Sequence, residues 1–150
     1  MRCEIIAYLI SIYSLSFRIF HLCVSLNLYQ MHKFKDLIVW QKGRSFVKDI
    51  YLITQKLPNT EQFGLISQIR RAAVSISTNI AEGAGRNSTP DFVRFLDIAN
   101  GSSFEVESLL LLCTDLGYFD NEDIDPLLSE LDNIQKLLFK FKKHLQEGKQ

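Results

Sequence analysis

The chain has 150 residues, 47% of them hydrophobic and 23% charged, and its 17 lysines and arginines balance its 17 aspartates and glutamates. Such a length and balance fit one globular core that folds without staples. Zero net charge excludes a protein that coats nucleic acid through bulk charge, so any such binding must come from a local patch.

Residues 1–30 are a segment apart: they carry only Arg2, Glu4 and Arg18 as formal charges, and the runs Ile5–Phe17 and Ile19–Tyr29 are apolar. Three readings compete. A signal peptide needs a basic start and a small-residue cleavage site, and Glu4 and the missing A-x-A pattern speak against it. A membrane anchor needs roughly 20 apolar residues; the span is long enough, but a central Arg18 costs about 2.5–3.5 kcal/mol on insertion scales. The third reading makes Met31 the natural start. A membrane partner is therefore expected only if residues 1–30 are translated.

Residues 31–150 read as a four-helix bundle. Trp40, Gly43, Val47, Ile50, Thr54 and Leu57 recur at three- and four-residue steps, with Gln41, Lys42, Ser45, Lys48, Asp49 and Lys56 opposite, which predicts a first helix ended by Pro58. Asn59 or Thr60 is expected to cap the second, with Gln62 reaching back. Its inner face is Leu65, Ile69, Ala73, Ile76 and Ile80, and Gly83 and Gly85 supply the stop. Thr89-Pro90 opens the third helix, which buries Phe92, Leu96, Ala99, Ser103, Val106, Leu110 and Cys113 and closes at Gly117. Asp120 and Asp123 mark the start of the fourth, with Pro126 expected to delay its regular part until Asp125 caps it. Its stripe is Ile124, Leu127, Leu131, Ile134, Leu138, Phe141 and Leu145. No stretch alternates with period two. The expected fold is all-α, an antiparallel up-down-up-down four-helix bundle.

Three blocks carry a resemblance: Phe34-Lys-Asp-Leu-Ile-Val-Trp40, Phe63-Gly-Leu-Ile-Ser-Gln-Ile-Arg-Arg-Ala-Ala-Val-Ser-Ile76 and Asn79-Ile-Ala-Glu-Gly-Ala-Gly-Arg86. Over about Met31 to Leu145 the chain resembles the four-helix-bundle proteins encoded in intervening sequences of bacterial 23S ribosomal RNA genes. That family is related to the accessory protein of diversity-generating retroelements. The resemblance implies a pentameric ring of bundles and, for the retroelement relatives, binding to nucleic acid and to a reverse transcriptase. A ribosomal component is the other protein partner it suggests. Where relatives often carry proline after Ser-Ile in the second helix, this chain has Ser77.

In the Asn79–Arg86 block, Ala81, Gly83 and Ala84 are expected to let helices approach closely, and Asn79, at the flank of the buried face, to bond a neighbouring helix or loop. Arg71 and Glu82 point outward, too far apart to pair within one helix, with a partner subunit or loop as the expected recipient. On the third helix Val93, Phe104, Leu111 and Leu112 lie off the buried line, which predicts a homo-oligomer interface. No lysine or arginine falls between Arg94 and Lys136, so the end of the third helix and the start of the fourth are acidic. The opposite pole of the bundle would collect Lys33, Lys35, Lys42, Arg44, Arg86, Arg94, Lys140, Lys142 and Lys143 as a nucleic-acid interface for RNA or DNA. Helix-dipole matching explains the fourth helix but not the basic start of the first.

No enzyme is expected, and no cofactor. Cys3, Cys23 and Cys113 form no CxxC pair or Cys/His cluster, so neither a disulfide framework nor a zinc site is supported, and a reducing cytoplasm fits. No Glu-x-x-His occurs for a di-iron site, His21, His32 and His144 are solitary, and Gly83-Ala-Gly85-Arg ends a helix rather than opening a phosphate loop. The expected function is an RNA- or ribonucleoprotein-associated adaptor, with a protein–protein scaffold as its competitor.

Overall fold

The structure is a computed structural model and describes residues 33–148, so the expectations for residues 1–30 lie outside the described residues. Four helices carry the fold: α1 (Ile38–Ile53), α2 (Leu65–Ala84), α3 (Thr89–Asp115) and α4 (Asn121–Glu147). Short 3-10 turns sit at Phe34–Asp36, Thr54–Lys56 and Asn59–Glu61, and there is no strand among the described residues.

The apolar period decides how these helices pack. Each has one stripe, and the four stripes merge into a single cluster centred on Phe46, Ile50, Ile69, Ile76, Ile80, Leu96, Val106, Leu110, Leu131, Ile134 and Leu138. Helix α1 packs on α2 and α4, and α3 packs on α2 and α4. Side-chain contacts join each helix to its neighbours. Gly43 faces Ile76 and Ser77, Ser75 meets Ser102, Gln135 reaches Glu107, and Lys42 reaches Glu130.

The face of α1 follows expectation at Gly43 and Ile50, and at Thr54 and Leu57 just beyond it, all buried, and differs at two positions. Val39, Gly43, Phe46, Ile50 and Ile53 line the buried side, while Trp40 and Val47 are only half-buried. Trp40 is instead covered from outside by Phe34, whose ring meets it edge-on with centroids 4.9 Å apart. Residues one step apart differ by about 100° around a helix, and at Val39-Trp40 and Phe46-Val47 it is the preceding apolar residue that takes the buried place.

Helix ends also differ in detail. The second helix starts at Leu65, not at Asn59 or Thr60, and Glu61 rather than Gln62 serves its first turn, with Oε2 accepting from the Leu65 amide at 3.2 Å. Ser88, not Thr89, caps α3, its Oγ accepting from the Asp91 amide at 3.2 Å; Thr89 and Pro90 are already helical. Helix α4 begins at Asn121 and runs through Pro126 without delay. The Asp120 amide donates to the Asp123 carboxylate at 3.4 Å, the pairing expected of that start. Gly117 closes the third helix in a left-handed conformation, φ 73°, that favours glycine. Ser77, where relatives carry proline, donates to the Val74 carbonyl at 3.1 Å inside an uninterrupted α2.

Candidate nucleic-acid interface

The nine expected basic residues divide into two groups. Lys42 is bonded to Glu130 at 2.8 Å and Lys142 to Asp97 at 2.7 Å. Arg86 pairs with Glu82 four residues back, and Lys143 lies 3.6 Å from Glu147. Lys33, Lys35, Arg44, Arg94 and Lys140 have no carboxylate partner among the described residues, and each is exposed. Contacts link several of these stretches directly. The Phe92 and Phe141 rings meet edge-on at 5.4 Å, joining the start of α3 to the segment that holds Lys140 and Lys142. The Arg86 guanidinium lies over the Phe95 ring, 4.4 Å from its centroid, and that of Arg44 5.7 Å from the Trp40 centroid.

The Asn79–Arg86 block on α2 is structural first. Gly83 is buried inside the helix rather than ending it, and Gly85 takes the C-cap position. Asn79 bonds its own helix, not a neighbour: its Nδ2 donates to the Ser75 carbonyl at 2.8 Å and to Ser75 Oγ at 2.9 Å. Ser75 Oγ carries the link onward to Ser102 Oγ on α3 at 2.8 Å. Glu82 pairs within its own helix, with Arg86 four residues on. Arg71 is exposed and has no ion-pair partner among the described residues. Its neighbour Arg70 points the other way. Arg70 Nε donates to Thr54 Oγ1 at 2.8 Å and the guanidinium stacks over Tyr51, 4.6 Å from the centroid, fixing the end of α1 against α2.

Of the residues expected at an oligomer interface, Phe104, Leu111 and Leu112 are exposed and Val93 is half-buried. Ile98 and Leu116 extend the exposed apolar surface of α3 and were not singled out from sequence. Phe139, 64% exposed, was also missed. It follows Leu138 on α4, and a stripe read through Leu138 leaves its neighbour on the outer face without comment.

Two grooves flank α4. One, of about 400 Å³, lies between α3 and α4 and is bordered by Phe104 and Phe139. The other, of about 390 Å³, lies between α1 and α4 beside Leu52, Leu127, Asp49 and Asp123. Titration is perturbed near the end opposite Gly83. Burial, and then the charge of Glu61, push the Cys113 thiol up to about 11. Desolvation, and then Glu61, whose Oε1 accepts from the phenol at 3.2 Å, raise Tyr118. A hydrogen bond from Lys56, and then one from the Asp120 backbone, hold Asp123 below the usual carboxylate range. Among the described residues no group of His, Cys, Asp and Glu is placed to hold a metal ion, and no helix is long and apolar enough to cross a membrane.

Among the described residues these features define an all-helical fold with one apolar core and exposed basic residues that have no carboxylate partner there. The family model described as 23S rRNA-intervening sequence protein matches residues 35–140, and the chain belongs to that family. Among solved structures it is similar to a protein of unknown function from the S23 ribosomal protein family of Bacteroides thetaiotaomicron. The two are 30% identical over 71% of this chain and 99% of that one, with a TM-score of 0.66. No curated protein matches the chain.

Proposed function

We propose that the chain is a non-enzymatic, self-associating adaptor for RNA or a ribonucleoprotein, built as an antiparallel four-helix bundle. Contacts that run in opposite senses along neighbouring helices support the antiparallel course: Gly83 with Phe92 and Ser75 with Ser102 between α2 and α3, and Lys42 with Glu130 and, just past the end of α1, Lys56 with Asp123 between α1 and α4. In that course the start of α1, the α2–α3 turn, the start of α3 and the end of α4 share one pole.

The observation that carries the RNA reading is that Lys33, Lys35, Arg44, Arg94 and Lys140, which this course would gather at one pole, are exposed and have no carboxylate partner among the described residues. Membership of a family tied to 23S rRNA intervening sequences agrees with it. In a closed ring, five copies for instance, every such pole would face one side, and repeated patches could hold a phosphate backbone although each protomer is neutral. Of the residues expected at an interface, Val93, Leu111 and Leu112 of α3, with the exposed Ile98 and Leu116, are the surface proposed for self-association, Phe104 being assigned instead to the groove described below, and Arg71 is a cation available to a neighbouring copy.

A protein–protein scaffold is the second reading. It is favoured by Lys42, Arg86, Lys142 and Lys143 already being ion-paired; a reverse transcriptase or ribosomal component would be such a partner. Binding of RNA to the chain across a salt titration separates the two. Retention at low salt that falls steeply as salt rises supports the first reading; no retention at any salt leaves the scaffold. Light scattering with and without RNA tests self-association.

A further inference from the structure

The groove between α3 and α4 combines features that the basic pole alone does not explain. Its rims carry two phenyl rings largely open to water, Phe104 at 54% and Phe139 at 64% exposure. Inside it lies Asn100, whose side-chain amide makes no hydrogen bond to any described residue, so a donor pair and an acceptor stand free in a partly apolar cleft. Lys140, which has no carboxylate partner among the described residues, and Lys142 line the same cleft beside the Phe139 rim.

We infer that this groove seats a single-stranded polynucleotide, its bases stacked on Phe104 and Phe139 and its phosphates held by Lys140 and Lys142; the inference rests on the RNA reading above and locates it. Aromatic faces joined to cations along a cleft are the arrangement that binds unpaired strands, because every base has a face to stack while the backbone meets positive charge. Asn100 can bond the edge of a base held between the rings. The volume, about 400 Å³, suits an unstacked base but not a duplex, whose bases are already stacked inside and whose width spans far more than one groove.

Two carboxylates oppose this, Asp97 on Lys142 and Asp132 on Lys136. Both are surface pairs, of a kind that contributes little and exchanges readily. An incoming phosphate can take either lysine. Seven charged or amide-bearing residues line the groove beside Leu96, Leu138 and the two rings.

The test is fluorescence anisotropy of the full chain with a labelled single strand of about 12 nucleotides, as RNA and as DNA, and with an RNA duplex of the same length. Both single strands are expected to bind more tightly than the duplex, because stacking tolerates either sugar. Phe104→Ala and Phe139→Ala are each expected to weaken strand binding about tenfold or more, with thermal melting unchanged because both rings are exposed. Phe139→Leu, which keeps apolar surface without a stacking face, is expected to weaken it as well. Full strand binding by all three variants, or tighter binding of the duplex, overturns the groove while leaving the basic pole standing. No binding of any polyanion by the unaltered chain at low salt removes the RNA reading itself.

Discussion

Gly83 of α2 lies against Phe92 of α3 with no room for a side chain: a Cβ built on the glycine would stand 2.6 Å from Phe92 Cδ2 and 2.7 Å from Phe95 Cβ. Phe95 Cβ is fixed to the backbone, so the helices themselves would have to part. Replacing a helical glycine by alanine normally gains about 1 kcal/mol in helix propensity. Overpacking of this severity costs about 1–3 kcal/mol, toward the upper end where a backbone-fixed atom is in the way, and Gly83→Ala is expected to lose up to about 2 kcal/mol net. Urea denaturation with a lowered midpoint and unchanged slope checks it.

Gly101 is the internal comparison. It sits mid-α3, exposed, with nothing within 4 Å of its would-be Cβ. Gly101→Ala therefore keeps the propensity gain without the clash and is expected to stabilise the chain by roughly 0.5–1 kcal/mol. The same denaturation series reads both variants. Opposite signs from one chemical change would show that packing, not helix propensity, decides the glycine at Gly83.

Sequence periodicity was a good guide wherever a stripe ran long and unbroken. Every residue expected inside α3, from Phe92 to Cys113, is buried. It was a poor guide where two apolar residues adjoin, because Val39-Trp40 and Phe46-Val47 each fit a helical stripe in two phases and only tertiary packing selects one. Helix starts failed for another reason. The turn Asn59–Glu61 carries the polar residues of a cap but closes into a 3-10 turn, and Glu61 reaches four residues forward to do the capping. The basic residues were legible as a set, yet their pairing was not: Lys142 and Asp97 are 45 positions apart, beyond any local pattern. The rim formed by Phe104 and Phe139 joins two helices in the same way, and no spacing in the sequence announces it.

Alkaline pH is expected to weaken the fold through Cys113. Its thiol is pushed from 9.0 up to about 11, first by burial and then by Glu61. Between those values the unfolded chain releases the proton while the folded chain keeps it, so stability falls as pH rises from about 9 to about 11 and levels beyond. Tyr118, also raised, acts in the same direction. Asp123 has the opposite sign: its depressed carboxyl adds stability above the ordinary value of 3.8, lost as pH falls through the lower folded value. Cys113→Ala should flatten the alkaline limb and leave the acid limb unchanged. Iodoacetamide at pH 8 should label Cys113 only on unfolding.

Charge reversal at the basic pole should be made where it breaks no ion pair. Lys142→Glu would set a second carboxylate against Asp97, which Lys142 now holds at 2.7 Å, and any lost binding would be mixed with lost stability. Lys35 and Arg94 have no such partner. The double variant Lys35→Glu with Arg94→Glu is expected to melt at the temperature of the unaltered chain while binding RNA more weakly at low salt. The dependence on salt gives the sharper measure. Each phosphate contact adds about 0.7 to the slope of log affinity against log salt for a single strand, so loss of two contacts should lower that slope by about 1.4. Uniform weakening across strand and duplex would mark both residues as backbone contacts, in contrast to the strand-selective loss expected at Phe104 and Phe139. An unchanged slope would show that the pole does not touch phosphate.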